Sequence, residues 1–303
     1  MTDPTERPFR FGVNMTYPAP GAKWAEKCRA AETAGYTVID VPDHLVAPDP
    51  RVARDHPATP SPFPGLVLAA AATEKARAGT LVLNTAFYNP LLLARDVATT
   101  ATLLEGRLEL GLGTGYDRTE VETAGLEWKQ PGERIAHLKT IVDTINAAVA
   151  EAGAPPPPLL IGARGDRMLR YAAEVADIIG FTGIEKAADG VTLRIADHDE
   201  VGHHVTTARA ALGSRIADVE FNLQIAKLII TDDRETAVAE FAKLLGMDAG
   251  QVSTAPSLLI GSVEEIAQQV QNNRKEFGFS YFTVIEADHL EFAKVLEYLQ
   301  RTA

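Results

Sequence analysis

Gly106-Arg107-Leu108-Glu109-Leu110-Gly111-Leu112-Gly113-Thr114-Gly115 is the stretch on which the fold turns. Leu108, Leu110 and Leu112 alternate as in a short strand, and glycines crowd its carboxyl end. Glycine there lets the backbone approach a ligand closely, and α/β barrels and open α/β sheets build their sites at that end of a strand. The bland alternative is a Gly-rich turn that holds nothing. The run is not a dinucleotide fingerprint. Counted from Gly111, the last glycine of G-x-G-x-x-G falls on Tyr116, and counted from Gly113 it falls on Arg118.

Outward from this strand, strand-like and helix-like segments alternate. The pattern predicts strands over 9–14, 37–41, 79–84, 108–112, 159–162, 177–181, 219–225 and 281–285. Helices are expected over 23–34, 66–76, 90–104, 132–151, 166–175, 234–245 and 290–299. Eight apolar strands separated by helices point to an α/β fold, a (β/α)8 barrel in one domain over 1–303. A doubly wound open sheet has the same periodicity and is the competing architecture. The surplus length falls in Asp43–Gly65, Ile184–His204 and Ala226–Leu259. The first two follow strands and are expected as insertions over the C-terminal face of the barrel.

The chain has 303 residues, of which 46% are hydrophobic, and a net charge of -12 that leaves no basic stripe for nucleic acid. No apolar run is long enough to cross a bilayer, and the first residues lack the layout of a secretion signal. The single cysteine, Cys28, excludes an intramolecular disulfide framework and reads as a small core residue of a helix. A cytoplasmic protein is expected, without nucleic-acid or membrane partners. Apolar helix faces would suit a homodimer.

Asp43 and His44 follow the second strand, where an imidazole can donate or accept a proton near neutral pH. The alternative is a loop histidine bonded to its neighbours. Asn84 ends the third strand, either as an amide for a heterocycle's edge or as an Asx turn. Gly162, Gly165, Arg164 and Arg167 surround a helix start and form a candidate phosphate cradle, unless the arginines are surface ion-pair residues. Asp197 to His204 is rich in histidine and acid but lacks the His-Glu-x-x-His order. It is read as the start of a solvated lid helix, and no metal is expected. His56, His137 and His289 show no convincing partner in sequence.

Ala31 to His44, Gly79 to Pro90, Leu103 to Gly115 and Pro158 to Arg167, taken in order, resemble the bacterial-luciferase-like family of flavin and deazaflavin oxidoreductases. The resemblance is greatest to the branch using the deazaflavin coenzyme F420, and it implies a hydride transfer to or from a small-molecule substrate. FMN, in a luciferase-like monooxygenase, is the alternative cofactor. The resemblance implies that Asp43 and His44 lie beside the cofactor ring, with a non-prolyl cis peptide at Leu81-Val82 behind it. It also implies that Asn84, Gly113, Thr114 and Gly115 touch the ring or ribityl chain. Gly162, Ala163, Arg164 and Gly165 match the phosphate loop, with Arg167 beside them. Sugar-phosphate dehydrogenases of the family place a glutamate directly after the Gly-Thr-Gly turn. Tyr116 stands there instead, so a sugar phosphate is not expected as substrate. His44 is the favoured acid or base and Tyr116 a second hydrogen-bonding group. The expected reaction is reduction of a C=C or C=N bond. A barrel that binds a flavin without turnover is the reading from a different class.

Overall fold

The computed structural model describes residues 7–16, 19–45, 61–186 and 193–302. Most of the first expected insertion, part of the second and His56 lie outside the described residues. The fold class is a (β/α)8 barrel with insertions. Its strands are β1 (Arg10–Asn14), β2 (Val38–Val41), β3 (Arg77–Thr80) continued by β4 (Leu83–Asn84), β5 (Leu108–Gly113), β6 (Leu159–Gly162), β7 (Ile178–Phe181), β10 (Glu220–Gln224) and β13 (Phe279–Ile285). Two compact units divide the chain, one of Asn14–Gly162 and one of Met1–Val13 with Ala163–Ala303.

In the first unit β2 pairs with β3, β3 and β4 pair with β5, and β5 pairs with β6, all parallel. Every residue of β5 is buried, which explains why its apolar alternation is interrupted only by glycine and one acid. Gly79 faces Glu109 and Leu83 faces Leu112, so four residues of one strand span three of the other. The Leu81-Val82 peptide in this gap is cis, as the resemblance implied. Here the Thr80 hydroxyl replaces ladder bonds, donating to Gly111 O at 2.8 Å and accepting from Gly111 N at 2.9 Å. The contact is so close that a Cβ on Gly111 would lie 1.9 Å from Thr80 O.

Helix α1 (Gly21–Thr33) buries Trp24, Cys28 and Ala31, so Cys28 is a core residue. Helix α2 (Pro62–Ala72) starts and stops about four residues before the expected span. Its prolines occupy the first turn, where no intrahelical N–H is required. At its end Glu32 accepts the N–H groups of Glu74, Lys75 and Ala76, which a longer helix would have used. Burial pushes the Glu32 carboxyl up, but those three donors and the nearby Arg107 outweigh it and hold the group below its usual range. Helix α3 (Pro90–Leu103) is capped by Asn89, and α5 (Pro131–Glu151) by a Gln130–Glu133 box. A short α4 (Arg118–Thr123) lies between β5 and α5.

In the second unit β7, β10 and β13 are parallel neighbours. Helix α6 (Asp166–Val175) matches its expected span and α11 (His289–Thr302) closes the chain. A hairpin of β8 (Ile184–Lys186) and β9 (Leu193–Ile195) leads into α7 (His198–Leu212), which Asp197 and Glu200 cap reciprocally. The third insertion exceeds the single helix expected. It contains β11 (Lys227–Ile230), α8 (Arg234–Leu245), α9 (Ala249–Thr254) and β12 (Leu258–Gly261), with β11 and β12 paired in parallel as a separate two-stranded sheet. Val238, Ala242, Val252, Ala255, Leu258 and Ile260 form its own small core. Helix α10 (Val263–Phe277), also unanticipated, begins at a Ser262–Glu265 capping box and ends at Gly278 in the left-handed region.

Candidate active site

In the first unit, β2 delivers Asp43 and His44 beyond its carboxyl end. Asp43 is buried and accepts the N–H of Asn84 at 2.9 Å, tying the end of β2 to the end of β4. Burial pushes its carboxyl up to about 6, against the pull of the Asn84 N–H, the Tyr88 hydroxyl and nearby His44, while Glu120 adds to the rise. The Tyr88 hydroxyl is pushed up in turn, by burial and by the Asp43 charge.

His44 lies between two groups. Its Nδ1 is 3.1 Å from Glu120 Oε2, and its Nε2 is 3.5 Å from the Tyr116 hydroxyl. The His44 and Tyr116 rings meet edge to face at 5.7 Å. Glu120 is almost wholly buried, His44 is partly open and Tyr116 is 41% exposed. The other carboxylate oxygen of Glu120 accepts the N–H of Leu45. An imidazole so placed can take up or release a proton toward an open hydroxyl.

The Gly-Thr-Gly turn is held from α5. Arg134 donates to the carbonyls of Thr114 at 3.2 Å and Gly115 at 2.7 Å, and its guanidinium stacks on Trp128. Gly115 has φ +73, and a Cβ there would strike the Asn84 side chain at 2.4 Å. Gly113 has the Val82 side chain 2.7 Å from where a Cβ would stand. These glycines therefore serve the packing of β5 against the β3–β4 break. Asn84 Oδ1 accepts the N–H of Ala86 at 3.1 Å, which is the Asx-type turn. His137 bonds the carbonyls of Thr85 and Tyr88 and so fastens the turn after β4.

In the second unit, Ala163 N–H bonds Gly180 O, and Gly165 caps α6 with φ +75 and no side-chain cap. Arg164 is half-buried and lines a small pocket with Thr182, Gly183 and His204. Arg167 is exposed on the first turn of α6. Asp166 pairs instead with Arg170 at 3.3 Å and His203 at 3.4 Å. His198 bonds Glu276 and Asp199, and His289 bonds Glu286 O, so these histidines have partners from the fold. Among the described residues no helix is long and apolar enough to cross a membrane.

The fold thus brings His44 to Tyr116 and Asp43 to Asn84, and assembles Ala163, Arg164, Gly165 and Arg167 at one helix start. Sequence reasoning missed Glu120, Arg134 and His137. Glu120 had a signal in Asp117-x-x-Glu120, a capping-box spacing. Asp117 does cap α4, but Glu120 turns to His44 and Leu45 instead of closing the box.

Residues 7–278 match the luciferase-like monooxygenase family. The chain belongs to that family. Within it, this luciferase-like chain is 32% identical over 194 residues to an F420-dependent glucose-6-phosphate dehydrogenase of Nakamurella multipartita. That alignment covers 57% of this chain and 56% of the relative, little more than half its length. Two solved structures share the fold of this luciferase-like chain. One is an F420-dependent secondary alcohol dehydrogenase, with a TM-score of 0.73 at 15% identity over 97% of this chain and 99% of that one. The other is an EDTA monooxygenase of Chelativorans, with a TM-score of 0.73 at 13% identity over 98% of this chain and 94% of that one.

Proposed function

We propose that the chain is an oxidoreductase that moves a hydride between the deazaflavin coenzyme F420 and a small organic substrate, in the sense of reducing a C=C or C=N bond. The observation that carries the reading is His44 held between a buried carboxylate and an open tyrosine hydroxyl at the end of β2. That arrangement handles protons but supplies no electrons, so it suits a bound hydride carrier. The F420-dependent relative supports the choice of carrier. The reading takes residues 1–303 as one catalytic domain of a cytoplasmic enzyme that pairs as a homodimer.

The residues suit such a group. Half-buried Arg164 at an uncapped helix start fits an anionic tail, because free backbone N–H groups and a guanidinium both favour phosphate oxygens. Gly162, Ala163, Arg164 and Gly165 would hold the phosphate, with Arg167 adding charge. Asp43, His44, Leu81, Val82, Asn84, Gly113, Thr114 and Gly115 would hold the ring and ribityl chain. The coenzyme, when bound, supplies or accepts the hydride. His44 gives or takes the accompanying proton, and Tyr116 hydrogen-bonds the substrate.

Titration of the purified chain with F420, FMN and NADPH, followed by ring fluorescence, tests the reading. F420 should bind far more tightly than NADPH. Tight FMN binding with unchanged deazaflavin fluorescence would overturn the assignment and point to an oxygen-consuming monooxygenase. A charge-assisted hydrogen bond contributes about 1.5–3 kcal/mol, so Arg164→Ala should weaken F420 by roughly 10- to 150-fold. A deazaflavin fragment lacking phosphate should bind the variant as before. Equal losses for both ligands would remove Arg164 from the phosphate site.

A further inference from the structure

Glu120 aims both carboxylate oxygens at consecutive residues of one segment. One oxygen accepts the backbone N–H of Leu45 and the other lies 3.1 Å from His44 Nδ1. An ionised carboxylate only accepts hydrogen bonds. A neutral His44 ring that faces Glu120 as a carboxylate carries its hydrogen on Nδ1, which leaves Nε2 as the nitrogen without hydrogen. Free imidazole side chains prefer the opposite arrangement, with the hydrogen on Nε2. That nitrogen is the one 3.5 Å from the hydroxyl of Tyr116, a residue that is itself exposed.

We propose that Glu120 is a positioning residue that locks His44 in the Nδ1–H tautomer, making Nε2 the atom through which the site exchanges protons. This role rests on the reading of His44 as the acid–base group. In the oxidising direction Nε2 would take the proton of a substrate N–H or C–H bond, leaving that bond's electron pair to form the C=N or C=C bond, while the bound coenzyme would accept the hydride of the neighbouring carbon. The reverse reaction returns the same proton and hydride. The imidazolium formed in between lies against the Glu120 carboxylate, which offsets its charge. In this chain the carboxylate stands behind the histidine, and Tyr116 occupies the place in front of it.

Glu120→Gln gives the role a sharp test. The Leu45 N–H still needs an acceptor, and only the amide oxygen can provide one. That choice puts the NH2 group where the second carboxylate oxygen was, donating to Nδ1. His44 must then carry its hydrogen on Nε2, so the tautomer inverts with little change of shape. The readout is the long-range 1H–15N spectrum of the ligand-free full chain, labelled on histidine, at alkaline pH. The His44 signals are assigned by their loss in His44→Gln.

In the wild type, Nδ1 should show the shift of a protonated nitrogen and Nε2 that of a bare one, and the two should exchange roles in Glu120→Gln. A carboxylate that merely fills space and holds Leu45 would leave the pattern unchanged in the variant. Hydrogen on Nε2 in the wild type would overturn the proposal by itself, even if the variant fails to fold. Because no coenzyme is present, failure of F420 binding and failure of the tautomer lock are separate results. Once a substrate is in hand, Glu120→Gln should lower kcat by ten- to a hundred-fold with KM near the wild-type value.

Discussion

Asp43 shows how one buried acid can couple the site to pH. Its carboxyl is pushed up to about 6, chiefly by burial, from an ordinary value of 3.8. The folded chain therefore holds a proton there that the unfolded chain has lost between those values. The stabilisation is fully present below pH 3.8 and is lost as pH rises through 6. At 1.36 kcal/mol per pH unit, the difference corresponds to about 3 kcal/mol across that window. Asp43→Asn keeps the acceptor for the Asn84 N–H and removes the titration. Urea unfolding from pH 4 to pH 7 should show the wild type losing about 2 kcal/mol relative to the variant, since part of the effect is already gone at pH 4. Parallel profiles for the two proteins would mean that Asp43 is ionised as easily in the fold as outside it.

The strand β5 is built for its neighbours as much as for a ligand. Gly111 is tied to Thr80 by two hydrogen bonds and has a carbonyl oxygen where a Cβ would stand. The clash is with backbone, so no side-chain rotation relieves it. Gly111→Ala should cost at least about 3 kcal/mol, read from the urea midpoint at equal m value. Gly153 is a suitable contrast, with φ +63 and nothing within 4 Å of an added Cβ. Only backbone conformation is at stake there, so Gly153→Ala should cost about 1–2 kcal/mol. Comparable losses at the two positions would refute the packing account of Gly111. Element types were largely legible along the chain. The helix start at 166 and the strand at 159–162 follow from local signals, whereas the early end of α2 required Glu32, 41 residues before the Thr73 cap, to capture its N–H groups.

Across the whole molecule, the least legible region is the insertion between β10 and β13. Its buried residues form a cluster of their own around the β11–β12 pair. Lys227 and the Leu228 N–H both bond Asp288, which ties that pair to the start of α11. A separate core implies a cooperative unit that can open without global unfolding. Leu258→Ala should create a cavity costing about 2–5 kcal/mol. Amide hydrogen exchange at Leu228 and Ile260 should then accelerate by about 30-fold or more, while Leu223 in β10 exchanges at its wild-type rate. Equal acceleration at all three amides would show that the insertion and its barrel strand open together.

The tetrapeptide Leu-Leu-Ile-Gly occurs twice, at Leu159–Gly162 and Leu258–Gly261. By itself the first copy reads as a strand followed by a helix start, since aliphatic side chains bounded by glycine favour both, whereas the second lies at the end of a stretch in which the sequence leads one to expect only a helix. The sequence alone likewise determined the eight-strand alternation, the absence of a dinucleotide fingerprint and the placing of His44 and Tyr116 after strand ends. Tertiary structure decided which partner each copy found. The first pairs with β5 in the barrel, and the second pairs with β11 in a sheet of two strands. It also decided that Glu120, 76 residues beyond His44, turns away from its own helix cap to meet the imidazole. Local propensity sets what a segment can become, but pairing and side-chain direction depend on contacts between residues distant in the chain, which no single stretch encodes.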